Sequence, residues 1–274
     1  MTKWLITGGT GSLGQAVTRH ILDKEPDCSI RIYSRNEYFQ VEMERTFNDK
    51  RLRFLIGDVR DKDRLSRACN GIDNVIHCAA LKHVPVCEYN PIEAVKTNIN
   101  GTVNIIDACI DNNVKKCLAI STDKAVNPIN LYGGTKLVAE KLLTYGNIYG
   151  NTMFSCVRFG NFIGSSGSVI PLFLKQKSEG KITITDENMI RYWIGFNEAV
   201  QFIYKFVEVM EGKEIFIPKM ERMSVKEWID IIAPEAEQVV TGIRDGEKLE
   251  ELMYSQEEEK ELIDCVSYFK IKVG

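Results

Sequence analysis

Short apolar runs alternate with amphipathic segments between Trp4 and Phe159. The apolar runs are nearly continuous, which is typical of parallel strands that are buried on both faces of a sheet. The predicted strands are residues 4–7, 29–33, 53–56, 74–78, 117–120 and 154–159. The helices predicted between them are residues 14–23, 36–47, 62–69, 91–112 and 133–147. This alternation predicts an α/β fold with a doubly wound parallel sheet and helices on both of its faces.

The hydrophobic pattern becomes less regular after Asn161. The elements predicted there are helices at 171–178, 197–211 and 224–232 and strands at 181–185 and 214–217, with a loop at 164–168. Ser224 is a suitable N-cap for the last of these helices, and the charged run 257–261 predicts a surface segment. We therefore expect a large domain of residues 1–163, to which 190–218 return, and a smaller C-terminal lobe of 164–189 and 219–274.

Length, charge and cysteine content exclude several classes of protein. The chain has 274 residues, enough for one large domain with a small lobe, and a formal net charge of -3, so we expect no nucleic-acid partner. No apolar run approaches the roughly 20 residues that span a bilayer, and the N-terminus begins directly in a strand, which predicts a cytoplasmic protein without membrane contact. The eight cysteines form no C-x-x-C pair and the three histidines are not spaced for zinc, so we expect reduced cysteines and no metal site.

A glycine-rich turn follows the first predicted strand and opens the first helix. Gly8, Gly11 and Gly14 form the pattern G-x-x-G-x-x-G, in which glycines permit a tight turn and close approach of the backbone to a pyrophosphate. The N-terminus of the helix adds N–H groups and a favourable dipole for the anion. The pattern favours a Rossmann-like dinucleotide site over a plain glycine turn. The residues expected to contact the cofactor here are Gly8, Thr10, Gly11, Ser12, Leu13 and Gly14.

The end of the second predicted strand favours NADP over NAD. NAD enzymes usually have an acidic residue there for the ribose hydroxyl, whereas this chain has Ser34 and Arg35, which suit a 2'-phosphate. The alternative is that Arg35 is an ordinary surface charge. Asp58 could accept a hydrogen bond from the adenine amino group, or it could belong to an Asx turn. The further residues expected at the cofactor are Val59, Ala79, Ala80, Lys82, Tyr132 and Lys136.

Candidate catalytic residues lie within one short stretch of the chain. Tyr132 and Lys136 are spaced i, i+4 and so share one helix face, and a nearby cation and the nicotinamide charge favour the phenolate of the tyrosine. Thr122, Asp123 and Lys124 follow the fifth predicted strand. All five residues therefore fall at the carboxyl edge of the parallel sheet, where ligands of such folds bind. An exposed ion pair is the alternative for Asp123 and Lys124.

These motifs together resemble the extended short-chain dehydrogenases/reductases. Over nearly the whole chain they are most similar to the inverting, 5-epimerising UDP-N-acetylglucosamine 4,6-dehydratases of pseudaminic-acid-type pathways. The Thr122-Asp123-Lys124 triplet is the most specific marker of this resemblance. The other stretches that contribute to it are residues 8–14, 34–37, 57–61, 80–85, 121–136, 158–161, 167–171, 184–186 and 242–248.

The resemblance implies a mechanism for these residues. Tyr132 would remove the C4 hydroxyl proton as hydride passes to NADP, Lys124 would remove the C5 hydrogen, and Asp123 would protonate the departing C6 hydroxyl. Nearby Lys136 and partial burial would lower the pKa of Lys124 so that it acts as a base. The substrate would be UDP-N-acetylglucosamine. The residues implied as substrate contacts are Lys82, Asn161, Val169, Arg191, Arg244 and Glu247.

Several departures from the family pattern, among them Glu250 where a histidine is common, and several alternative functions stay open. Gly133-Gly134 replaces Gly-Ala beside the catalytic tyrosine, and Asp245 replaces a proline in the substrate loop. A retaining dehydratase, a UDP-hexose 4-epimerase and an NADP-binding redox sensor without turnover are the competing functions. The resemblance also implies a homo-oligomer, a dimer or a higher assembly.

Overall fold

The computed structural model describes residues 1–164 and 169–273, without the side chains of Val169 and Pro171. Its strands are β1 Thr2–Thr7, β2 Cys28–Ser34, β3 Leu52–Ile56, β4 Asn74–His77, β5 Lys116–Thr122, β6 Met153–Phe159, β7 Asn161–Ile163, β8 Lys181–Ile184, β9 Ile190–Gly195, β10 Glu214–Pro218, β11 Glu221–Ser224, β12 Glu237–Val240, β13 Leu262–Asp264 and β14 Tyr268–Lys272. Its helices are α1 Ser12–Lys24, α2 Glu37–Phe47, α3 Lys62–Cys69, α4 Val84–Tyr89, α5 Pro91–Ala94, α6 Gly101–Asp111, α7 Leu131–Gly146, α8 Val169–Lys177, α9 Phe196–Val209, α10 Val225–Ile232 and α11 Gln256–Glu259. A π-helical segment, Val95–Asn100, joins α5 to α6, and a 3-10 turn, Asp123–Ala125, follows β5.

A nine-stranded sheet organises the molecule, in the order β13-β14-β10-β6-β5-β4-β1-β2-β3. The strands from β10 to β3 in this order pair in parallel, and β14 and β13 add an antiparallel edge. The predicted α/β class with a Rossmann-like parallel sheet is confirmed.

Alternate residues of the central strands pack into two separate cores. Trp4 and Ile6 of β1 lie in one core, on the face covered by α1 and α9. Leu5, between them, lies in the other core with residues of α3 and α6. All three side chains are buried, which explains the continuous apolar runs of these strands.

A smaller lobe has its own core, built from residues of α8, β8 and α10. Strands β8 and β12 pair in parallel within it, and β9 pairs with both β7 and β11 in a separate three-stranded sheet. The predicted N-cap is present, since the Ser224 side chain accepts a hydrogen bond from the Glu227 N–H in a capping box.

One sequence-based expectation for the C-terminal region is corrected, and another holds with one exception. The sequence assigns residues 219–274 to the smaller lobe, but β13 and β14 extend the nine-stranded sheet because β14 pairs with β10. The predicted charged surface run 257–261 is exposed at four of its five residues. The exception is Glu258, whose carboxylate accepts hydrogen bonds at 2.7 and 2.8 Å from Arg158, whose side chain is buried.

The single predicted helix 91–112 is also divided. A π-helical turn interrupts it where the Asn98 side chain accepts from the N–H and donates to the C=O of Leu81. Within the described ranges, no helix has the length and apolarity that a membrane span requires. Those ranges also contain no group of three or more His, Cys, Asp or Glu side chains placed to hold a metal ion.

Candidate active site

A cleft of about 1000 Å³ follows the carboxyl ends of the parallel strands, as expected for this sheet topology. Its lining includes the residues that directly follow β1 and β4, the ends of β2 and β5, and the N-terminal part of α7. The lining includes every residue predicted to contact the cofactor: Gly8, Thr10, Gly11, Ser12, Leu13, Gly14, Ser34, Arg35, Asp58, Val59, Ala79, Ala80, Lys82, Tyr132 and Lys136.

The glycine turn is packed too closely for side chains. Gly8 has φ +66°, and a Cβ there would lie 2.9 Å from the Ala79 nitrogen. A Cβ on Gly14 would lie 2.6 Å from the Gly9 Cα. Gly11 is the N-cap of α1 and offers no side-chain cap, and the first turn of the helix contains no acidic residue. The turn and the helix N-terminus therefore fit an anionic group such as a pyrophosphate.

Cationic groups surround the end of β2. The Arg35 guanidinium is largely exposed and lies 4.0 Å from the Asp58 carboxylate. Ser34 accepts a 2.9 Å hydrogen bond from the Gln40 amide, which fixes its hydroxyl at the cleft. Arg60 donates to Asp58 at 2.6 and 2.9 Å. Burial would raise the pKa of Asp58, but the hydrogen bonds from Arg60 outweigh it and lower that pKa.

Helix α7 presents Tyr132 and Lys136 to the cleft from one buried face. Asn130 caps the helix, since its side chain accepts a 2.7 Å hydrogen bond from the Gly133 N–H. Burial raises the pKa of Tyr132, and a hydrogen bond with Thr122 opposes that shift. Burial also lowers the pKa of Lys136, whose ammonium donates to the Ile120 carbonyl at 2.7 Å. The residues of the chain therefore do not produce the lowered phenol pKa that the sequence suggested.

Asp123 and Lys124 form a partly enclosed acid–amine pair at the same end of the cleft. Asp123 is fully buried, and its Oδ1 accepts from the Thr122 hydroxyl at 2.9 Å and from the Lys124 ammonium at 3.0 Å. The second oxygen, Oδ2, has no hydrogen-bond partner among the described residues. Lys124 lines the cleft and is 23% exposed, so the pair is not the ordinary surface ion pair of the alternative interpretation.

The residues implied as substrate contacts are distributed unevenly. Lys82 and Asn161 line the cleft, and burial lowers the pKa of Lys82. Val169 begins α8, and its side chain lies outside the described atoms. In the described structure Arg244 and Glu247 are not among the lining residues, and their charged groups lie 3.8 Å apart.

Arg191 was expected to face the nucleotide, but its contacts are with the backbone. Its guanidinium donates to the carbonyl oxygens of Ile190, Lys248 and Leu249 at 2.7 to 3.1 Å, and the side chain is buried. Arg191 is absent from the cleft lining in the described part of the chain. The residue instead fixes the backbone of Lys248 and Leu249, at the end of the loop 242–248.

Sequence reasoning missed a second carboxylate beside Lys124. Glu251 is 2% exposed, and its Oε1 lies 3.6 Å from the Lys124 nitrogen. Its Oε2 lies 3.5 Å from the nitrogen of Lys248, which donates to the Val126 carbonyl at 2.7 Å. No local spacing connects Glu251 with the catalytic turn, so only the folded chain reveals the contact.

The sequence and the fold match those of known proteins. A family model described as "Polysaccharide biosynthesis protein" matches residues 4–273. The UDP-N-acetylglucosamine 4,6-dehydratase (inverting) of Campylobacter jejuni is 49% identical over 272 residues, covering 97% of this chain and 81% of that protein. The UDP-glucose 4-epimerase of Rickettsia rickettsii is 39% identical, covering 97% and 82%. The X-ray structure of Pen from Bacillus thuringiensis superposes with a TM-score of 0.94 at 38% identity, covering 98% and 87%.

Proposed function

Because the chain belongs to the polysaccharide biosynthesis protein family, we propose that it is an NADP-dependent UDP-N-acetylglucosamine 4,6-dehydratase that inverts C5. The product is then a 4-keto-6-deoxy-L-sugar nucleotide. The chain is 49% identical to the inverting Campylobacter jejuni dehydratase and 39% identical to the Rickettsia rickettsii epimerase. The higher identity supports a dehydratase over an epimerase.

One observation supports dehydration above epimerisation: Lys124 lines the same cleft as Tyr132 and Lys136, and it contacts the carboxyl group of Asp123, which is fully buried behind the described lining. Oxidation at C4 requires a base for the hydroxyl proton, which Tyr132 with Lys136 can supply. Elimination of water requires in addition a base for the C5 hydrogen and an acid for the C6 oxygen. Lys124 and Asp123, 3.0 Å apart, offer both groups at one place.

We assign one step to each group. When bound, the nicotinamide takes hydride from C4 and later returns it to C6. Tyr132 accepts the C4 hydroxyl proton, and the resulting ketone acidifies the C5 hydrogen, which Lys124 removes. The elimination requires the proton of this pair to lie on Asp123, so that Lys124 is a neutral amine. Asp123 then protonates the leaving C6 oxygen, water departs, and Lys124 carries the proton taken from C5. A solvent-derived proton delivered to C5 on the opposite face then inverts that carbon.

The substrate nucleotide is assigned to residues of both lobes. Lys82 and Asn161 contribute from the cleft lining. Arg244 suits the diphosphate and Glu247 a ribose hydroxyl, with Val169 as a further contact. Arg244 and Glu247 belong to a loop beside α7, because the Gly246 carbonyl accepts a 2.8 Å hydrogen bond from Asn130.

The function is tested by incubating the protein with UDP-N-acetylglucosamine in heavy water and examining the product by NMR. We expect a 4-keto-6-deoxy product with the L-configuration and deuterium at C5. Asp123→Asn should lower turnover on the order of 100-fold or more, because the acid for elimination is lost. Asp230→Asn is the control, since it removes only an exposed ion pair with Lys226 on α10 and should leave turnover unchanged.

Other products decide between the alternatives. The D-configuration at C5 would replace the inverting assignment with a retaining one. A retained C6 hydroxyl would indicate an epimerase, and bound NADP without any product would indicate a redox sensor.

The proposed preference for NADP depends on Arg35. Arg35→Ala should raise the KM for NADP by about 10- to 100-fold and leave the KM for NAD nearly unchanged, because only NADP presents a 2'-phosphate. Arg45→Ala, on the exposed side of α2, is the matched control. Equal KM values for both cofactors in the unmodified protein would contradict the preference. We also propose a homo-oligomer, which light scattering on the purified protein tests.

A further inference from the structure

The carboxylate of Glu251 lies between two lysines at the catalytic turn. Its two oxygens lie 3.6 Å from the Lys124 nitrogen and 3.5 Å from the Lys248 nitrogen. The side chain is 2% exposed. A buried carboxylate costs folding free energy unless its surroundings compensate it, so its position beside the proposed base requires an explanation.

The backbone that contains Glu251 is fixed from several sides. Arg191 donates to the carbonyl oxygens of Lys248 and Leu249 at 2.9 and 3.1 Å. The Ile190 N–H donates to the Leu249 carbonyl at 2.9 Å. The position of Glu251 is therefore built into the junction of β9 with the segment 248–251.

The Glu251 contact is close but incompletely satisfied. Its Oε2 has no hydrogen-bond partner among the described residues, and the same holds for Oδ2 of Asp123. Two buried carboxylates thus approach Lys124 while each retains an unused acceptor. Stability alone favours fully paired groups, and incompletely paired buried groups are typical of places where the structure serves a reaction.

We propose that Glu251 is a positioning residue, which holds the Lys124 amine at the C5 hydrogen while Asp123 remains directed to the C6 oxygen. The inference rests on the proposed dehydratase function and extends it. Without Glu251, the contact with Asp123 at 3.0 Å would hold the amine from one side. Glu251 contacts the amine at 3.6 Å and so fixes it between two carboxyl groups.

The proposal separates the steps of the reaction. Oxidation at C4 uses Tyr132 and Lys136, whereas the ion pairs of Glu251 are with Lys124 and Lys248, so the rate of oxidation should be independent of Glu251. Removal of the C5 hydrogen uses Lys124 and should depend on Glu251. A misplacement of the base by about 1 Å is enough to cost on the order of 100-fold in rate.

The test compares Glu251→Gln with Glu250→Gln. Glu250 is adjacent in the chain, but its carboxylate is exposed and pairs with Arg222 at 2.6 Å. Glu251→Gln should lower kcat for UDP-N-acetylglucosamine by about 10- to 100-fold and change KM by less than about 3-fold. Reduced cofactor should accumulate in a single turnover, and substrate deuterated at C5 should show a larger isotope effect on kcat than in the unmodified protein. Glu251→Asp should restore part of kcat.

Three results would overturn the proposal. Equal kcat and isotope effect in Glu251→Gln and Glu250→Gln would mean that Glu251 does not act on Lys124. A slowing of C4 oxidation as large as that of turnover would indicate a purely structural residue. If circular dichroism shows that Glu251→Gln is unfolded, Glu251→Asp becomes the test of the proposal. A kcat and an isotope effect equal to those of the unmodified protein would then contradict it. A lack of dehydration by the unmodified protein would instead refute the proposed function, and this inference with it.

Discussion

Two adjacent glycines in α7 differ in what surrounds them. A Cβ on Gly133 would lie 2.1 Å from the carbonyl oxygen of Lys124, which is closer than any real contact. A Cβ on Gly134 would meet no described atom within 4 Å. Gly133 is therefore required for the packing of α7 against the catalytic turn, whereas Gly134 only adds conformational freedom to the unfolded chain.

We expect Gly134→Ala to raise the free energy of unfolding by about 0.5–1 kcal/mol, because alanine loses less backbone entropy in a helix. Gly133→Ala should lower it by several times that amount, on the order of 3 kcal/mol, through overpacking. Urea unfolding of both variants measures the difference. Destabilisation by Gly134→Ala would contradict the prediction.

The buried imidazole of His77 makes stability depend on pH. Its Nδ1 lies 2.7 Å from the Thr7 hydroxyl, and burial, with a smaller effect of the Lys136 charge, lowers its pKa from 6.5 to about 3. The unfolded chain therefore binds a proton near pH 6.5 that the folded protein accepts only near pH 3. Stability is fully present above pH 6.5 and decreases as the pH falls through this window.

Between pH 6.5 and pH 5 we expect His77 to account for a loss of about 2 kcal/mol in the free energy of unfolding. His77→Gln should flatten the pH dependence in this interval, whatever its effect on absolute stability. His83→Gln, outside the sheet, serves as the control and should keep the slope. Chemical unfolding at several pH values gives the comparison, and equal slopes for the His77→Gln and unmodified proteins would disprove the assignment.

At the scale of elements, the N-terminus of α7 is joined to the loop of residues 242–248. Asn130 accepts from the Gly133 N–H at 2.7 Å and donates to the Gly246 carbonyl at 2.8 Å. The Glu88 carboxylate adds a 2.7 Å hydrogen bond from the Leu131 N–H. One side chain thus caps the helix and holds the loop that contains Arg244 and Glu247.

Asn130→Ala should lower the free energy of unfolding by about 1 kcal/mol and raise the KM for UDP-N-acetylglucosamine several-fold. Ser224→Ala removes the comparable cap of α10 and should cost a similar amount of stability without changing KM. Thermal unfolding and steady-state kinetics on both variants test this. An equal KM for the two would show that the cap does not act on the loop.

The sequence predicted those elements whose signals are local. Strands β1 to β6 are continuous apolar runs, and helix α3 was predicted with its observed bounds, 62–69. Strand β14 was missed because it is short and of mixed composition, and because its pairing with β10 and β13, rather than its local pattern, defines it. The π-helical turn that interrupts the predicted helix 91–112 coincides with hydrogen bonds between Asn98 and Leu81. The hydrophobic pattern of the sequence does not reveal this contact.

The same distinction applies to the candidate site. The residues from Thr122 to Lys136 were identified together because they lie close in the chain and on one sheet edge. The contacts of Glu251 and Arg191 were not predicted, because they join segments that meet only in the folded protein. The burial that raises the pKa of Tyr132 cannot be read from the Tyr-x-x-x-Lys spacing.

At the scale of the whole molecule, a buried arginine joins three parts of the chain. Arg158 of β6 donates to the Glu140 carboxylate of α7 at 2.8 and 2.9 Å and to Glu258 of α11 at 2.7 and 2.8 Å. It also donates to the Met253 carbonyl at 3.1 Å. These hydrogen bonds link the C-terminal region to α7, the helix that contains Tyr132.

Glu258→Gln should lower the free energy of unfolding by about 1–3 kcal/mol, because Arg158 loses one of its two carboxylates. Glutamine can still complete the capping box with Ser255, so the effect isolates the ion pair. Glu257→Gln on the exposed side of α11 should change stability by less than about 0.5 kcal/mol. Similar values for the two variants would refute a role for the network.

The hydrogen bond from Lys248 to the Val126 carbonyl spans 122 residues of sequence. During translation, the first six strands leave the ribosome well before Lys248 and Glu251 are made. A nascent chain can therefore fold its glycine turn and retain a nucleotide while Lys124 has Asp123 beside it but not yet Glu251. Turnover is then among the last properties that a growing polypeptide acquires, and dinucleotide affinity among the first.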